Sequence, residues 1–372
     1  MALESERETS TIAKLGKIRP QTIFSDDFVL ILLEKNRTML RFGSLCLDFP
    51  VIQAALSGYS DPPMRRIARK QGAEFTLCEV LLDKFVTQVS RRKARLYYGV
   101  EEQDHPCGAQ LMGAEPEQFV AAARKLLDAG FDLIDLNFAC PVKKVLGRGR
   151  GGYLLSAPET ALEIVAAVRA AVPADIPLTL KLRKGFDDSP ESRDRFFQLL
   201  GGAVDRGIDG VTVHGRTVRQ RYEGESDWSF PAEVKRYLLE EKRVAIPVIG
   251  SGDLFDAAVC VQRLQESRID GLALARGIIG NPWLFREVRA ALAGQPIPPP
   301  PGLAEQREVL EEHFRQTVAF YGEKRGVPVM RGFGVRYAQR HPEIDAVRRA
   351  FAAVKTPADW QNLLDRFYAE AG

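Results

Sequence analysis

Cysteine is scarce in this 372-residue chain, and the few thiols show no pairing pattern. Cys46, Cys78, Cys107, Cys140 and Cys260 are odd in number, and none stands in a Cys-x-x-Cys spacing. That argues against a disulfide framework and a structural zinc site, so no metal is expected. Long apolar runs are missing too, since nothing approaches the ~18 residues that a membrane span needs. The start of the chain carries no signal-peptide core, because Phe28 to Leu33 is short and follows Asp26 and Asp27. A cytoplasmic protein with no membrane partner is the expectation. Net charge is low as well: +3, from 52 basic and 49 acidic residues, does not by itself mark a nucleic-acid binder. No Rossmann glycine fingerprint stands between a strand and a helix, which speaks against a resident nicotinamide domain. What remains is an ordinary globular composition, 45% hydrophobic and 27% charged.

From about Gly43 to Gly294 the chain alternates short β-branched runs with amphipathic stretches. The expected strands are Val51 to Ala55, Phe75 to Val80, Gly108 to Met112, Leu133 to Phe138, Leu178 to Leu182, Gly210 to His214, Ile246 to Ile249 and Gly271 to Leu274. Helical patterns between them include 116–129, 158–171, 191–206 and 255–265, with Pro116 and Pro158 suited to first turns. Eight strand–helix units over this length predict a (β/α)8 TIM barrel, with a doubly wound open sheet as the rival. Residues 295–302, QPIPPPPG, read as an extended linker, and 303–372 as a small all-α domain. Residues 1–42 match neither part and read as an N-terminal extension.

Chemistry collects at the strand ends. The string IDLNFACPVKK puts Asn137 and Cys140 where an apolar run stops at Pro141, at the lip of the sheet. Gln110 ends the third strand. LTLKLRKG places Lys181 and Arg183 on one side of the fifth, where a buried lysine needs an anion or an electron-rich ring. His214 and Arg216 end the sixth strand, and GSGD and ARG follow the seventh and eighth. Glycine turns at the last two strand ends form the usual phosphate site of a barrel, which favours a phosphorylated ligand such as FMN. Basic clusters recur beside these loops: Arg65, Arg66, Arg69 and Lys70; Arg91, Arg92, Lys93 and Arg95; Lys143, Lys144, Arg148 and Arg150; and arginines of the C-terminal segment. Their repetition points to a polyanionic substrate.

These motifs resemble those of the tRNA-dihydrouridine synthases, FMN-dependent barrels with a C-terminal helical RNA-binding domain. The likeness runs from about residue 43 to the end, through AALSGYSD, AQLMG, NFACPVKKV, KLRKG, the HGRT to DW string of 214–228, GSGD and ARG..GNPW. It implies that Cys140 is the general acid, with Asn137, Arg183, Lys143 and Lys144 toward the substrate. Lys181, Gln110 and His214 would meet the isoalloxazine, and backbone at Ala55, Leu56 and Ser57 would line the flavin. Ser251, Gly252, Asp253, Ala275, Arg276 and Gly277 would hold its phosphate end. The implied reaction is reduction of uridine in tRNA to 5,6-dihydrouridine, with NADPH or NADH as diffusible reductant. The RNA is transfer RNA, with ribosomal RNA left open; DNA is not implied, and a monomer is favoured. The sequence departs from the family pattern in three places. Ala55 and Leu56 stand for a usual Pro-Met, Ser251 for Asn and Ala275 for Gly. Two rival readings stay open: an FMN-dependent reductase of free pyrimidines or dihydroorotate, and an RNA-binding protein with a degenerate flavin site.

Overall fold

The structure, a computed structural model, describes residues 39–369. Residues 1–38, most of the expected extension, lie outside the described residues, as do 370–372 and the side chains of Arg91, Arg92, Arg95 and Leu96. Eight parallel strands close into a barrel: β3 (Val51–Gln53), β4 (Thr76–Leu82), β5 (Cys107–Met112), β6 (Leu133–Asn137), β7 (Leu178–Arg183), β8 (Gly210–His214), β9 (Val248–Ser251) and β10 (Gly271–Leu274). They run in chain order around the ring, and β10 returns to β3. Each run expected as a strand is one of these, so the chain is a closed barrel and not an open sheet.

The strands read as barrel strands because both their faces are buried. On β6, Ile134 and Leu136 join the core under the outer helices, while Leu133 joins the core inside the barrel. Asp135 and Asn137 share the inward face of Leu133, as the two-residue period of a strand requires. Inward residues change character from floor to rim. At the floor Ile52, Phe75, Leu77, Leu133, Ile249 and Ala273 form an apolar plug.

A short hairpin completes that plug. Its strands β1 (Leu40–Phe42) and β2 (Leu45–Leu47) pair antiparallel and bury Leu40, Phe42 and Leu47. A Cβ on Gly210 would lie 2.7 Å from the Phe42 ring, so β8 starts with glycine where the hairpin caps the barrel. Fully burying a side chain such as Phe42 is worth about 1.5–3 kcal/mol. The barrel's floor therefore begins at residue 40, three positions inside the segment read as extension.

Outer helices start where caps allow. Asp61 accepts from Met64 N–H ahead of α1 (Pro62–Lys70). Then come α2 (Asp83–Gln88), α3 (Arg91–Tyr98), α4 (Pro116–Asp128), α5 (Lys143–Leu146), α6 (Pro158–Ala171), α7 (Pro190–Asp205), α8 (Ser229–Glu240), α9 (Ala257–Ser267) and α10 (Leu284–Leu292). Ser189 and Asp256 cap α7 and α9 in the same way. After the proline-rich segment, α11 (Leu303–Tyr321), α12 (Glu323–Tyr337), α13 (Ile344–Ala353) and α14 (Pro357–Phe367) pack together. These helices sit over the rim. Phe333 packs edge-on against Tyr59 at 5.4 Å, and Tyr337 against Trp283 at 6.0 Å. Among the described residues no helix is long and apolar enough to cross a membrane.

Candidate active site

The C-terminal strand ends surround a cavity of about 820 Å³, a volume suited to a cofactor-sized ligand. Its walls include Ala55, Leu56, Ser57, Asn137, Cys140, Lys181, Arg183, His214, Ser251, Gly252, Asp253, Ala275, Arg276 and Gly277. Strand register explains the gathering. Asn137 is the neighbour of Lys181, Arg183 of His214, and His214 of Ser251. Gln110, Lys143 and Lys144 do not line the cavity. The two lysines lie exposed on α5, just beyond the cavity-lining Pro141 and Val142.

Cys140 stands half-buried at one wall. Burial pushes its thiol above the ordinary value, against the Val142 backbone hydrogen bond and the Arg183 charge. The thiol is therefore protonated at neutral pH. The chain around it is tied at several points: Asn137 Oδ1 accepts from the N–H of Ala139 (3.0 Å) and Cys140 (3.1 Å). Arg183 Nε donates to Ala139 O at 3.0 Å, and Gly152 N–H donates to Cys140 O at 3.0 Å. Gly151 and Gly152 are needed for that last approach, since Cβ atoms there would fall 2.8 Å from Cys140 Cβ and 3.1 Å from its carbonyl.

Arg183 also donates from Nη1 to Thr217 O (2.9 Å) and Arg221 O (2.7 Å). Burial draws its guanidinium down to about 10, which leaves it charged at neutral pH. Deeper in the barrel, Lys181 and Asp135 are buried within reach of each other's charge. Burial depresses the amine and raises the carboxyl, and each charge counters the effect on the other. Lys181 Nζ reaches Ser251 Oγ at 3.4 Å. His214 is driven down to about 2, by burial first and then by the charges of Lys181, Arg183, Arg216 and Arg276. It is neutral, and Arg216 Nη1 lies 3.4 Å from its Nε2, which assigns the proton to Nδ1.

At the far end two arginines converge. Arg216 binds Asp253 twice, at 3.0 and 2.6 Å, and Arg276 reaches the same carboxylate at 3.4 Å. Burial opposes ionisation of Asp253, but those bonds and charges, with the Ser226 N–H, hold its carboxyl below the usual range. The carboxylate thus orients arginines; it is not itself a ligand for a phosphate. The Arg276 guanidinium lies between Tyr222 (4.5 Å) and Phe255 (5.5 Å), both exposed at the mouth. Asn281 lines the same cavity, 6% exposed, with neither side-chain atom partnered.

Other expected roles change in detail. The N–H and C=O of Leu56 are consumed inside the turn, by Ser60 Oγ (2.6 and 2.9 Å) and the N–H of Tyr59 and Ser60. Leu56 therefore offers a side chain to the cavity, and Ser60 ties the turn in which the usual proline is missing. The first basic cluster is spent on structure. Arg65 is fully buried, Arg66 pairs with Asp104, and Arg69 donates to the carbonyls of Glu74 and His105. Tyr222, Phe255, Asn281, Arg336 and Gln339 line the cavity and were not singled out for it; Arg216, expected at the end of the sixth strand, lies buried behind it and fixes Asp253.

A phosphorylated flavin fits this donor set. The cavity has a cation and a neutral imidazole in its depth, a protonated thiol at one wall, the Arg276 guanidinium at one end and an orphaned buried amide. Among the described residues no group of three or more His, Cys, Asp and Glu is placed to hold a metal.

Comparison with known proteins points the same way. A family model described as "Dihydrouridine synthase (Dus)" matches residues 52–371. A "Probable tRNA-dihydrouridine synthase" of Mycobacterium tuberculosis (strain CDC 1551 / Oshkosh) is 35% identical over 338 residues, 88% of this chain and 84% of the relative. One of the same description from Rickettsia prowazekii (strain Madrid E) is 32% identical over 330 residues, 89% of this chain and 98% of the relative. Among solved structures, morphinone reductase in complex with tetrahydroNAD superposes with a TM-score of 0.51 at 18% identity. That match covers 71% of this chain and 92% of the other, and at this identity it speaks for the fold alone.

Proposed function

The chain belongs to the dihydrouridine synthase family, and from that premise we propose that it is a flavin-dependent oxidoreductase reducing uridine in tRNA to 5,6-dihydrouridine. The observation that carries the reading is the protonated, half-buried Cys140 thiol on the wall of a cofactor-sized cavity whose other end gathers cations.

FMN would be held along the barrel rim. Lys181 and the neutral His214 would lie against its ring system, the Ala55–Ser57 turn would line it, and Ser251 and Ala275 would flank it. Arg276 and the backbone around Gly252 and Gly277 would take its phosphate. Bound there, the flavin would supply the hydride that uracil C6 receives, drawn in turn from a diffusible nicotinamide, NADPH or NADH. The residues of this chain supply the rest. Cys140 gives its proton to C5, a role that needs the thiol and not the thiolate. Arg183 is held by three backbone carbonyls, and its remaining Nη2 serves the base. Asn137 retains one amide hydrogen beyond those it spends on its neighbours.

RNA is favoured over a free base by what surrounds the cavity. Its roof carries Arg336, Gln339 and Arg340, and a second groove of about 620 Å³ runs on from Tyr59 and Arg336 past Arg331 and Arg348. Lys143 and Lys144 stand exposed on α5, the short helix that follows Cys140. These groups would bind phosphates, while the target uridine leaves its stack to enter. In this reading residues 40–294 are the catalytic unit, with the floor hairpin included, 295–302 a linker and 303–372 the RNA-holding helices. The protein acts as a monomer in the cytoplasm, where its substrate is.

The test is purified, flavin-loaded protein with an unmodified tRNA transcript and NADPH, followed by nucleoside mass spectrometry. Dihydrouridine in the transcript is the expected result. Turnover of free uracil or orotate at comparable rates, with the transcript untouched, would favour the small-substrate reading instead.

A further inference from the structure

The turn that leads from β3 into α1 lines the cavity with Ala55, Leu56 and Ser57, where Ala55 and Leu56 stand for the usual Pro-Met. With no proline ring to fix φ, its backbone must be held by partners. Inside the turn, the N–H groups of Tyr59 and Ser60 donate to Leu56 O at 3.0 Å, and Leu56 N–H donates to Ser60 Oγ at 2.6 Å. From the barrel, Glu79 Oε1 accepts from Gly58 N–H, and Arg65 Nη1 donates to Ser60 O at 3.1 Å.

A further set of partners comes from the C-terminal helices. Tyr321, the last residue of α11, hydrogen-bonds the Asp61 carboxylate through its hydroxyl. Asp61 directly follows the turn, is 4% exposed, and also accepts from Met64 N–H at 3.0 Å. One buried carboxylate therefore ties the end of the turn to α1 and to α11 at once. Arg325 of α12 stacks on the Tyr321 ring, 4.4 Å from its centroid, and its charge favours ionisation of both Asp61 and Glu79. Tyr59, within the turn, meets Phe333 of α12 edge-on.

Burial already disfavours the Asp61 charge, so an oxygen deprived of the Tyr321 hydroxyl must reach another donor by moving. Its bond to Met64 belongs to a packed helix, which leaves the turn as the part that yields.

We propose that Tyr321 is a positioning residue for the flavin, acting through Asp61 on the turn that lines the cavity. The helical domain is then part of the cofactor site as well as the face that meets RNA. The proposal rests on the reading of the 55–57 backbone as flavin lining.

Two measurements on the full-length, flavin-free protein test it, with Tyr321→Phe as the variant, because it removes the hydroxyl and keeps the ring. Fluorescence titration should show FMN bound about 5- to 20-fold more weakly, the range for losing one hydrogen bond to a buried charge. Hydrogen exchange followed on the peptide that holds Leu56 to Asp61 should be roughly 5-fold or more faster, since the amides of Leu56, Gly58, Tyr59 and Ser60 are all bonded in the turn. Trp360→Phe is the control. Trp360 is 2% exposed and stacks on Phe314 at 4.6 Å within the same helices, but it touches neither the turn nor the cavity. That variant should lower the unfolding temperature and leave FMN affinity and the exchange of 56–61 at wild-type values.

Wild-type affinity and exchange in Tyr321→Phe would overturn the proposal, and so would either change without the other. Equal weakening of FMN by Trp360→Phe would overturn it too, since general loosening of the helices would then explain the effect. Should the wild type take up no FMN, the functional reading fails, while the exchange rates still decide whether Tyr321 holds the turn.

Discussion

Gly280→Ala tests how the helices are seated on the cavity. Gly280 has φ +74 and sits where α12 meets the rim; a Cβ there would lie 2.4 Å from the carbonyl carbon of Arg336, 2.6 Å from its oxygen and 2.7 Å from Tyr337 N. These are backbone atoms, so no rotamer change relieves the clash. Ordinary contact begins near 3.4 Å, and the end of α12 would have to retreat by about 1 Å. Left-handed backbone costs an alanine about 1–2 kcal/mol, and overpacking typically adds ~1–3 kcal/mol. Gly294 has φ +67 with open space around it, so Gly294→Ala carries the first cost without the second. Thermal unfolding should therefore separate the two variants by several degrees, with Gly280→Ala the lower. The same shift moves Arg336, Gln339 and Arg340, so Gly280→Ala should raise KM for tRNA while flavin occupancy stays near wild type. Equal unfolding temperatures for the two variants, with an unchanged KM, would refute the reasoning.

Cys140→Ala should keep its flavin spectrum and lose roughly 10²- to 10⁴-fold in turnover of tRNA, the range for removal of a general acid; a smaller loss in steady-state rate would exclude that role. Lys181→Met should weaken FMN by about 10- to 100-fold, as expected for loss of a charged, buried contact, and fluorescence titration of apoprotein would reveal an unchanged affinity if the lysine did not face the flavin. The pH profile follows from two shifts. The raised Cys140 thiol keeps its proton past the ordinary value of about 8.5, so the rate is full below that value and is lost as pH rises through the raised one. His214 is already neutral, so initial rates should not fall as pH drops through about 6.5, and a fall there that His214→Gln removes would contradict the assignment.

Most of this molecule was legible along the chain, and what was not depended on partners far apart in sequence. All eight barrel strands announced themselves because inward and outward faces are both buried, which leaves compact β-branched runs between helical periods. The helices read at 116–129, 158–171, 191–206 and 255–265 lie within two residues of α4, α6, α7 and α9. The floor hairpin was missed because its strands are only three residues each and precede any regular alternation. Within the site, residue type identified the thiol, the lysine and the histidine. It could not show that Gln110 bonds Asp135 and Asn137, because that depends on the register of β5 against β6. Nor could it show that Asp253 is occupied by Arg216, 37 positions away, or that Arg65 is buried while Arg336 roofs the cavity.

The most direct measurement is nucleoside mass spectrometry of tRNA from cells lacking this gene, complemented with wild type or with Cys140→Ala. Dihydrouridine should disappear at defined positions and return with wild type alone. Dihydrouridine that is unchanged by loss of the gene, or restored equally by Cys140→Ala, would contradict the assignment of both the reaction and its proton donor.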